Sequence, residues 1–168
     1  MPSILISLPI LLILALMSFQ DFKYRAISWY AFPLLAIFLV FANPVFNLTE
    51  CLMNAGFVAV NYMLATVLIS LKNRRMTNLM KAHIGPGDLL MLLCVAVYFP
   101  TLIFFLFYLG SLILIAVGTG IYMAWYKPRE YTVPLAGLQS AMLLVLLLTT
   151  WITGLQINDT LWIENYLL

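Results

Sequence analysis

Two acidic residues stand at the borders of long apolar stretches, where their side chains could act together. Asp21 closes the first apolar stretch, and Asp88 opens the fourth. A carboxylate facing lipid is costly, so an acid at the end of a membrane span normally faces the bundle interior or a wet cavity. Two carboxylates in one cavity share a proton, so that one can activate water while the other donates to a carbonyl oxygen. The pair therefore indicates aspartic peptidase chemistry.

Each acid also has an ordinary structural interpretation. Asp21 could cap a helix N-terminus or pair with Arg25, four residues further on. Asp88 could be a first-turn acid that the helix dipole favours. The segment Gly85-Pro86-Gly87 favours the chemical interpretation, because glycines permit a tight backbone and proline is tolerated at a helix start. Such a turn would hold Asp88 at the mouth of a helix.

The composition of the chain excludes a soluble fold. Of 168 residues, 65% are hydrophobic and only 8% are charged, whereas soluble domains carry about 25% charged residues. This excludes a soluble enzyme, a nucleic-acid-binding protein and a disordered segment. The formal net charge of +2 is too small to indicate a polyanionic partner. Cys51 and Cys94 form no metal-binding or disulfide pattern, so both are expected to be buried apolar residues and no metal site is expected.

The uncharged stretches predict six transmembrane helices. These stretches are 1–20, 26–49, 51–71, 89–126 and 131–158. A helix needs about 20 residues to cross a hydrocarbon core of about 30 Å, so four of the stretches hold one span each. The stretch 89–126 would be about 57 Å long as one helix, so it holds two spans, with the turn at Pro100 or Gly110. We therefore predict an all-α, polytopic membrane helix bundle in which residues 1–168 form a single domain.

All basic residues fall in alternate loops of this bundle. They are Lys23 and Arg25, then Lys72, Arg74, Arg75 and Lys81, then Lys127 and Arg129. The positive-inside rule places these three loops in the cytoplasm and both termini on the extracytoplasmic side. Asp21 and Asp88 then share the cytoplasmic side. The outer acids Glu50, Asp159 and Glu164 are expected to be solvated loop charges, and His83 a surface loop residue.

Three segments resemble the motifs of a known family. Gly85-Pro86-Gly87-Asp88 resembles the GxGD motif of intramembrane aspartic proteases. The segment 21–28, which begins Asp-Phe-Lys-Tyr-Arg, is similar to the first aspartate motif of the type IV prepilin peptidases. The segment 133–137, Val-Pro-Leu-Ala-Gly, is similar to the proline-containing motif that opens the last span of that family. The resemblance extends over essentially the whole chain, in the minimal, peptidase-only form.

The resemblance implies a membrane aspartic endopeptidase that needs no cofactor and no metal. Its substrates would be prepilins and pilin-like precursors, which carry a short, basic, cytoplasmic leader before a hydrophobic helix. Asp21 and Asp88 match the catalytic pair, and we expect Gly85, Gly87 and Pro134 to contact the substrate. Such an enzyme lies in the prokaryotic inner membrane with its active site facing the cytoplasm. Its partners are the precursor and the lipid bilayer, and no nucleic acid.

Two positions depart from the family pattern. Leu90 stands where many relatives carry Lys, and Ser28 stands where Pro is common. The chain also lacks the cysteine tetrad of relatives that N-methylate the new terminus, so methyltransferase activity is not expected.

Two other functions would use the same residues. One is a catalytically inactive relative that serves as an assembly scaffold, and the other is a small proton-coupled transporter with the two acids as a proton relay. A transporter often shows an inverted repeat or paired broken helices, and neither is visible in this sequence.

Overall fold

The computed structural model describes residues 4–43, 46–73, 85–126 and 133–154. Within these ranges the chain forms six helices and no strand, so the predicted all-α fold class is confirmed for this part of the chain. The helices are α1 (Ile4–Tyr24), α2 (Ala31–Ala42), α3 (Leu48–Asn73), α4 (Pro86–Tyr98), α5 (Thr101–Tyr126) and α6 (Leu135–Thr153).

Four of these helices, α1, α3, α5 and α6, are long and apolar enough to cross a membrane. Their outer faces expose large apolar side chains, such as Leu5, Leu106 and Ile152, which are 86%, 60% and 82% exposed. Exposed apolar surface on this scale is typical of a protein that contacts lipid. The finding supports a membrane location.

Helix α2 is shorter than the uncharged stretch 26–49 from which a full span was predicted. It has 12 residues and α4 has 13, which corresponds to about 18–20 Å of helix. Asn43 ends α2 in an extended conformation, with φ −88° and ψ 108°. The residue before a proline is driven out of the helical region, and Pro44 follows Asn43 in the sequence. Hydropathy alone does not predict that α2 ends at this point.

The stretch 89–126 is divided at Pro100, and Gly110 lies inside α5. Phe99, the residue before the proline, is extended (φ −94°, ψ 142°), again as steric hindrance by proline requires. The prediction that this stretch is divided is confirmed, since it holds two helices. That both of them cross the membrane stays a prediction.

Side-chain amides from other helices hold the turn between α4 and α5. Asn54 of α3 donates through Nδ2 to the carbonyl oxygens of Ala96 (3.1 Å) and Phe99 (3.0 Å). Asn43 donates to the carbonyl oxygen of Tyr98 at 3.1 Å. The carbonyl groups at the end of α4 therefore gain donors that the helix itself cannot supply.

Glu50 belongs to the same polar cluster. The prediction that it is a solvated loop charge is wrong. It lies in the first turn of α3, and its Oε2 accepts a hydrogen bond from the backbone N–H of Thr101 at 3.1 Å. Its carboxylate therefore caps the start of α5.

The core lies where α1, α2, α4 and α6 meet. Helix α1 packs on α6 and α2, while α4 packs on α2, α3 and α6. The side chains at the centre are fully buried, among them Leu14, Met17, Leu35, Met91 and Leu143. Helix α5 joins α3 through edge-to-face aromatic contacts of Phe57 with several α5 rings. The inner four helices are the frame that positions the site.

Several predictions concern residues outside the described ranges. These residues are Arg74, Arg75, Lys81, His83, Lys127, Arg129, Asp159 and Glu164, together with both termini.

Candidate functional site

Asp21 lies in the last turn of α1. The helix ends at Tyr24. The backbone of the next residue, Arg25, is left-handed (φ 54°), and its N–H donates to the carbonyl oxygen of Asp21 at 3.0 Å. The next segment is fastened to α1 because the N–H of Ser28 donates to Oε1 of Gln20 at 3.0 Å. The Asp21 side chain is only 9% exposed. The end of α1 therefore directs this carboxylate inward.

Asp88 is the third residue of α4, directly after Pro86 and Gly87. Its Oδ2 accepts a hydrogen bond from the N–H of Gly85 (3.1 Å), while its own N–H donates to the carbonyl oxygen of Gly85 (3.1 Å). This reciprocal pair fixes the start of α4 and matches the structural interpretation of a first-turn acid. The Asp88 side chain is half-buried.

Both carboxylates meet at the N-terminus of α6. The N–H of Ala136 donates to Oδ1 of Asp88 at 2.8 Å, and the N–H of Gly137 donates to Oδ2 of Asp21 at 2.6 Å. Because these amides are consecutive, the two acceptor oxygens are at most about 9 Å apart. Two acids that are distant in the sequence thus share one helix end.

The start of α6 needs acceptors from other helices. Its N-cap residue is Pro134, which makes no side-chain capping bond, so the first free amides of the helix are left to find other partners. The N-terminus of a helix carries partial positive charge and attracts carboxylates. Asp21 and Asp88 therefore cap α6 from α1 and α4.

The two carboxylates keep capacity for further ligands. They are close enough for the charge of Asp21 to act on Asp88. A carboxylate offers about four acceptor positions, and the described backbone donors use one on Asp21 and two on Asp88. Water can donate to the acceptor positions that remain, and a peptide carbonyl oxygen can accept a hydrogen bond from whichever acid carries a proton.

Gly137 allows α1 and α6 to approach each other at this point. A Cβ atom on residue 137 would lie 2.7 Å from Cβ and 2.8 Å from Oδ2 of Asp21, which is closer than atoms in proteins pack. The sequence analysis noted the motif around Pro134 but missed that backbone amides of Ala136 and Gly137 hold the acids. The sequence does offer one signal for this arrangement. A proline stands at the start of the helix, and no side chain beside it can accept hydrogen bonds from the first free amides.

Gly85 and Gly87 serve the site differently from what was expected. Gly85 has φ −65° and ψ 145°, which any residue can adopt. A Cβ on Gly85 would lie 3.5 Å from Oδ2 of Asp88, and one on Gly87 would lie 3.5 Å from Cζ of Phe32. Both are ordinary contacts. Neither glycine is therefore required by its own contacts, because Pro86 begins a regular helix here. The expectation that this segment holds Asp88 at the start of a helix is confirmed. Their contact with substrate stays a prediction.

An apolar cleft of about 370 Å³ lies between α5, α6 and the end of α1. Pro134, which was predicted to contact the substrate, lines this cleft, while Gly85 and Gly87 do not. The complete lining is Phe22, Leu114, Ile115, Gly118, Thr119, Tyr122, Pro134, Leu138 and Met142. Phe22 follows Asp21 directly in the sequence, but neither aspartate lines the cleft.

The described part of the chain contains no group of three His, Cys, Asp or Glu side chains that could hold a metal ion. Comparison of the chain with protein-family models, with curated proteins and with solved structures returned no match. The function of this chain is therefore to be inferred from the geometry of the site.

Proposed function

We propose that the protein is a membrane aspartic endopeptidase that cleaves the short basic leader of type IV prepilin or pilin-like precursors at the cytoplasmic side of the membrane. The observation that carries the proposal is the placement of Asp21 and Asp88 on consecutive amides of α6. The ionised member of the pair takes a proton from water, whose oxygen attacks the scissile carbonyl carbon. The protonated member donates to the carbonyl oxygen, which gives a tetrahedral diol. The C–N bond then breaks as the acid that took the proton from water gives it to the leaving amine nitrogen, while the other acid takes a proton back from the diol. No cofactor, metal or methyl transfer takes part.

The segments that resemble the prepilin peptidase motifs supply the parts of the site. Asp21 comes from segment 21–28, Asp88 from segment 85–88, and the amide donors from segment 133–137. Their meeting at one helix end is what a pair of acids that act together requires. The choice of family and of a pilin-like substrate follows from the resemblance of the three segments.

We further propose that all six helices cross the membrane, with both termini on the extracytoplasmic side of a prokaryotic inner membrane. The two polar clusters support this arrangement. Asp21, Asp88 and Gly137 lie together at one end of the bundle, whereas Asn43, Asn54 and Glu50 surround the α4–α5 turn at the other end. Successive helices therefore run in opposite directions.

The first test is cleavage of a pilin-like precursor in liposomes that contain the wild type, Asp21→Asn or Asp88→Asn. We expect product with the wild type and none with either variant. Full processing by either variant would contradict the proposal. So would a folded wild type that leaves several candidate precursors uncut.

The same variants separate chemistry from capping. Asparagine keeps one carbonyl acceptor, so Asp21→Asn can still accept the Gly137 amide, and its melting temperature should match the wild type. Asp88 accepts one amide hydrogen bond on each of its two oxygens, and asparagine keeps only one of these acceptors. Asp88→Asn should therefore lower the unfolding free energy by about 1 kcal/mol, in addition to the loss of cleavage. If the two acids were only helix caps, Asp21→Asn would cleave like the wild type.

A further inference from the structure

In the part of the chain that the structure describes, two oxygen atoms beside the α4–α5 turn are buried without a hydrogen-bond partner. They are Oδ1 of Asn54, whose side chain is fully buried, and Oγ1 of Thr101. The other arm of the same amide is used, since Nδ2 of Asn54 donates to the carbonyl oxygens of Ala96 and Phe99. A buried oxygen without a partner is costly. The turn therefore offers two oxygens to a ligand.

These oxygens lie near the carboxylate of Glu50. Glu50 and Asn54 are four residues apart on α3 and so share one face of this helix. Asn54 binds the carbonyl oxygen of Phe99. Glu50 accepts the N–H of Thr101, and since only Pro100 intervenes, the two bound backbone atoms are at most about 6 Å apart. One carboxylate, one amide oxygen and one hydroxyl therefore meet at a single turn.

The charge at this turn favours a cation. Glu50 brings one formal negative charge, and its Oε1 and Oε2 accept hydrogen bonds from neutral N–H donors. Within the described ranges the basic side chains are Lys23 and Arg25, which lie at the other end of the bundle beside Asp21. Helices α2 and α4 end at this turn and α3 and α5 start here, so the partial charges of the helix ends oppose one another. The carboxylate therefore decides the sign.

We propose that the α4–α5 turn binds an alkali-metal cation through the carboxylate of Glu50, Oδ1 of Asn54 and Oγ1 of Thr101. Hard cations take oxygen ligands, and the carbonyl oxygen of Phe99 has a second lone pair for the same ion. A divalent ion would leave one positive charge unpaired in a partly buried place, so a single carboxylate favours a monovalent ion. In transporters, the carbonyl groups of broken membrane helices also coordinate Na⁺.

This cation site is separate from the aspartate pair. Asp88 lies near the start of α4 and the cation site at its end, about 16 Å further along the helix. The ion would join α3 to the break between α4 and α5, so it stabilises the fold and takes no part in cleavage. The inference does not depend on the proposed peptidase function, and its test uses no substrate.

Thermal unfolding in detergent tests the binding of the ion. The purified protein is heated in NaCl, KCl or choline chloride at the same ionic strength. We expect the melting temperature in NaCl or in KCl to exceed that in choline chloride by about 3 °C or more, and the difference to saturate as the salt concentration rises. A buried water molecule in place of the ion would give equal melting temperatures in the three salts, and that result would overturn the proposal.

Two nearly isosteric variants test where the ion binds. Thr101→Val removes Oγ1 and Glu50→Gln removes the charge, so we expect neither variant to show the difference between salts. Thr119→Val is the control on α5, because this hydroxyl donates to Ile115 and Ala116 within its own helix, and it should keep the full difference. The comparison is between salts for each protein, so a variant that is less stable in every salt still gives a clear result. A difference that persists in Thr101→Val or Glu50→Gln, or that is lost in Thr119→Val, would overturn the proposal.

Discussion

At the scale of single residues, the acids could be identified from the sequence, but their backbone partners could not. Asp21 and Asp88 are visible because charged residues are rare in this chain. The amides of Ala136 and Gly137 are not, since a backbone N–H has no signature of its own in the sequence. The close approach at Gly137 is also invisible from sequence, because it depends on how α1 packs against α6.

Gly137→Ala tests that approach. The added methyl group would collide with Asp21, so α1 and α6 must separate and the carboxylate must move. Displacement of a catalytic group by about 1 Å can cost about 100-fold in rate, and overpacking costs about 1–3 kcal/mol of unfolding free energy. We expect losses of this size in the liposome cleavage assay and in thermal unfolding in detergent.

Gly56→Ala is the control for that variant. It lies inside α3, and its Cβ would meet nothing within 4 Å. We expect unchanged cleavage and a gain of up to about 1 kcal/mol in unfolding free energy from helix propensity. Normal cleavage by Gly137→Ala would show that the approach of α1 to α6 does not set the position of Asp21.

Ser28→Pro tests the departure from the family pattern in the first aspartate motif. Proline has no N–H, so the hydrogen bond to Gln20 would be lost. We expect a decrease of about 1 kcal/mol in unfolding free energy. Gln20→Leu should cost a similar amount, and the double variant should cost less than the sum of the two. Strict additivity in denaturation measurements would show that this bond contributes nothing.

At the scale of elements, prolines determine where helices end, and polar side chains supply hydrogen bonds to the backbone groups that these ends leave unpaired. Pro100 lacks an N–H, and the break it causes was one of two candidates in the sequence. The donors that complete the break, Asn43 and Asn54, come from other helices. Their pairing could not be predicted, because it depends on the packing of α2 and α3 against α4.

Asn54→Leu measures how much the hydrogen bonds of Asn54 to the end of α4 contribute to stability. The substitution removes two hydrogen bonds and leaves the carbonyl groups of Ala96 and Phe99 without this donor in a buried place. We expect a decrease of about 1–3 kcal/mol in unfolding free energy. Asn61→Leu is the matched control on α3, since Asn61 donates only to Phe57 within its own helix. An equal loss for the two variants would refute the special role of Asn54.

At the scale of the whole molecule, hydropathy predicted an all-helical membrane protein, and the structure supports it. The distribution of basic residues predicts how the bundle is oriented in the membrane. Most of those residues lie in loops outside the described ranges. The distance between Asp21 and Asp88 could not be predicted, since two whole helices separate them along the chain. Only the packing of α1 and α4 against α6 brings them together.

Cysteine labelling tests the orientation. In a background with Cys51 and Cys94 replaced by alanine, Ala26→Cys and Thr49→Cys place exposed thiols at opposite ends of the bundle. We expect a membrane-impermeant maleimide added to intact cells to label Thr49→Cys alone, and Ala26→Cys only after permeabilisation. The reverse pattern would contradict the proposed topology.

The capping of α6 by two acids has a consequence for biogenesis. While the first five helices emerge from the ribosome and insert, Asp21 and Asp88 have no common partner, because both are joined through amides that come last in the chain. Insertion of α6 brings the acids onto one helix end and, in the same event, supplies that end with its caps. A half-synthesised chain therefore holds two separate carboxylates, and the proposed peptidase would become active only once the final helix is in place.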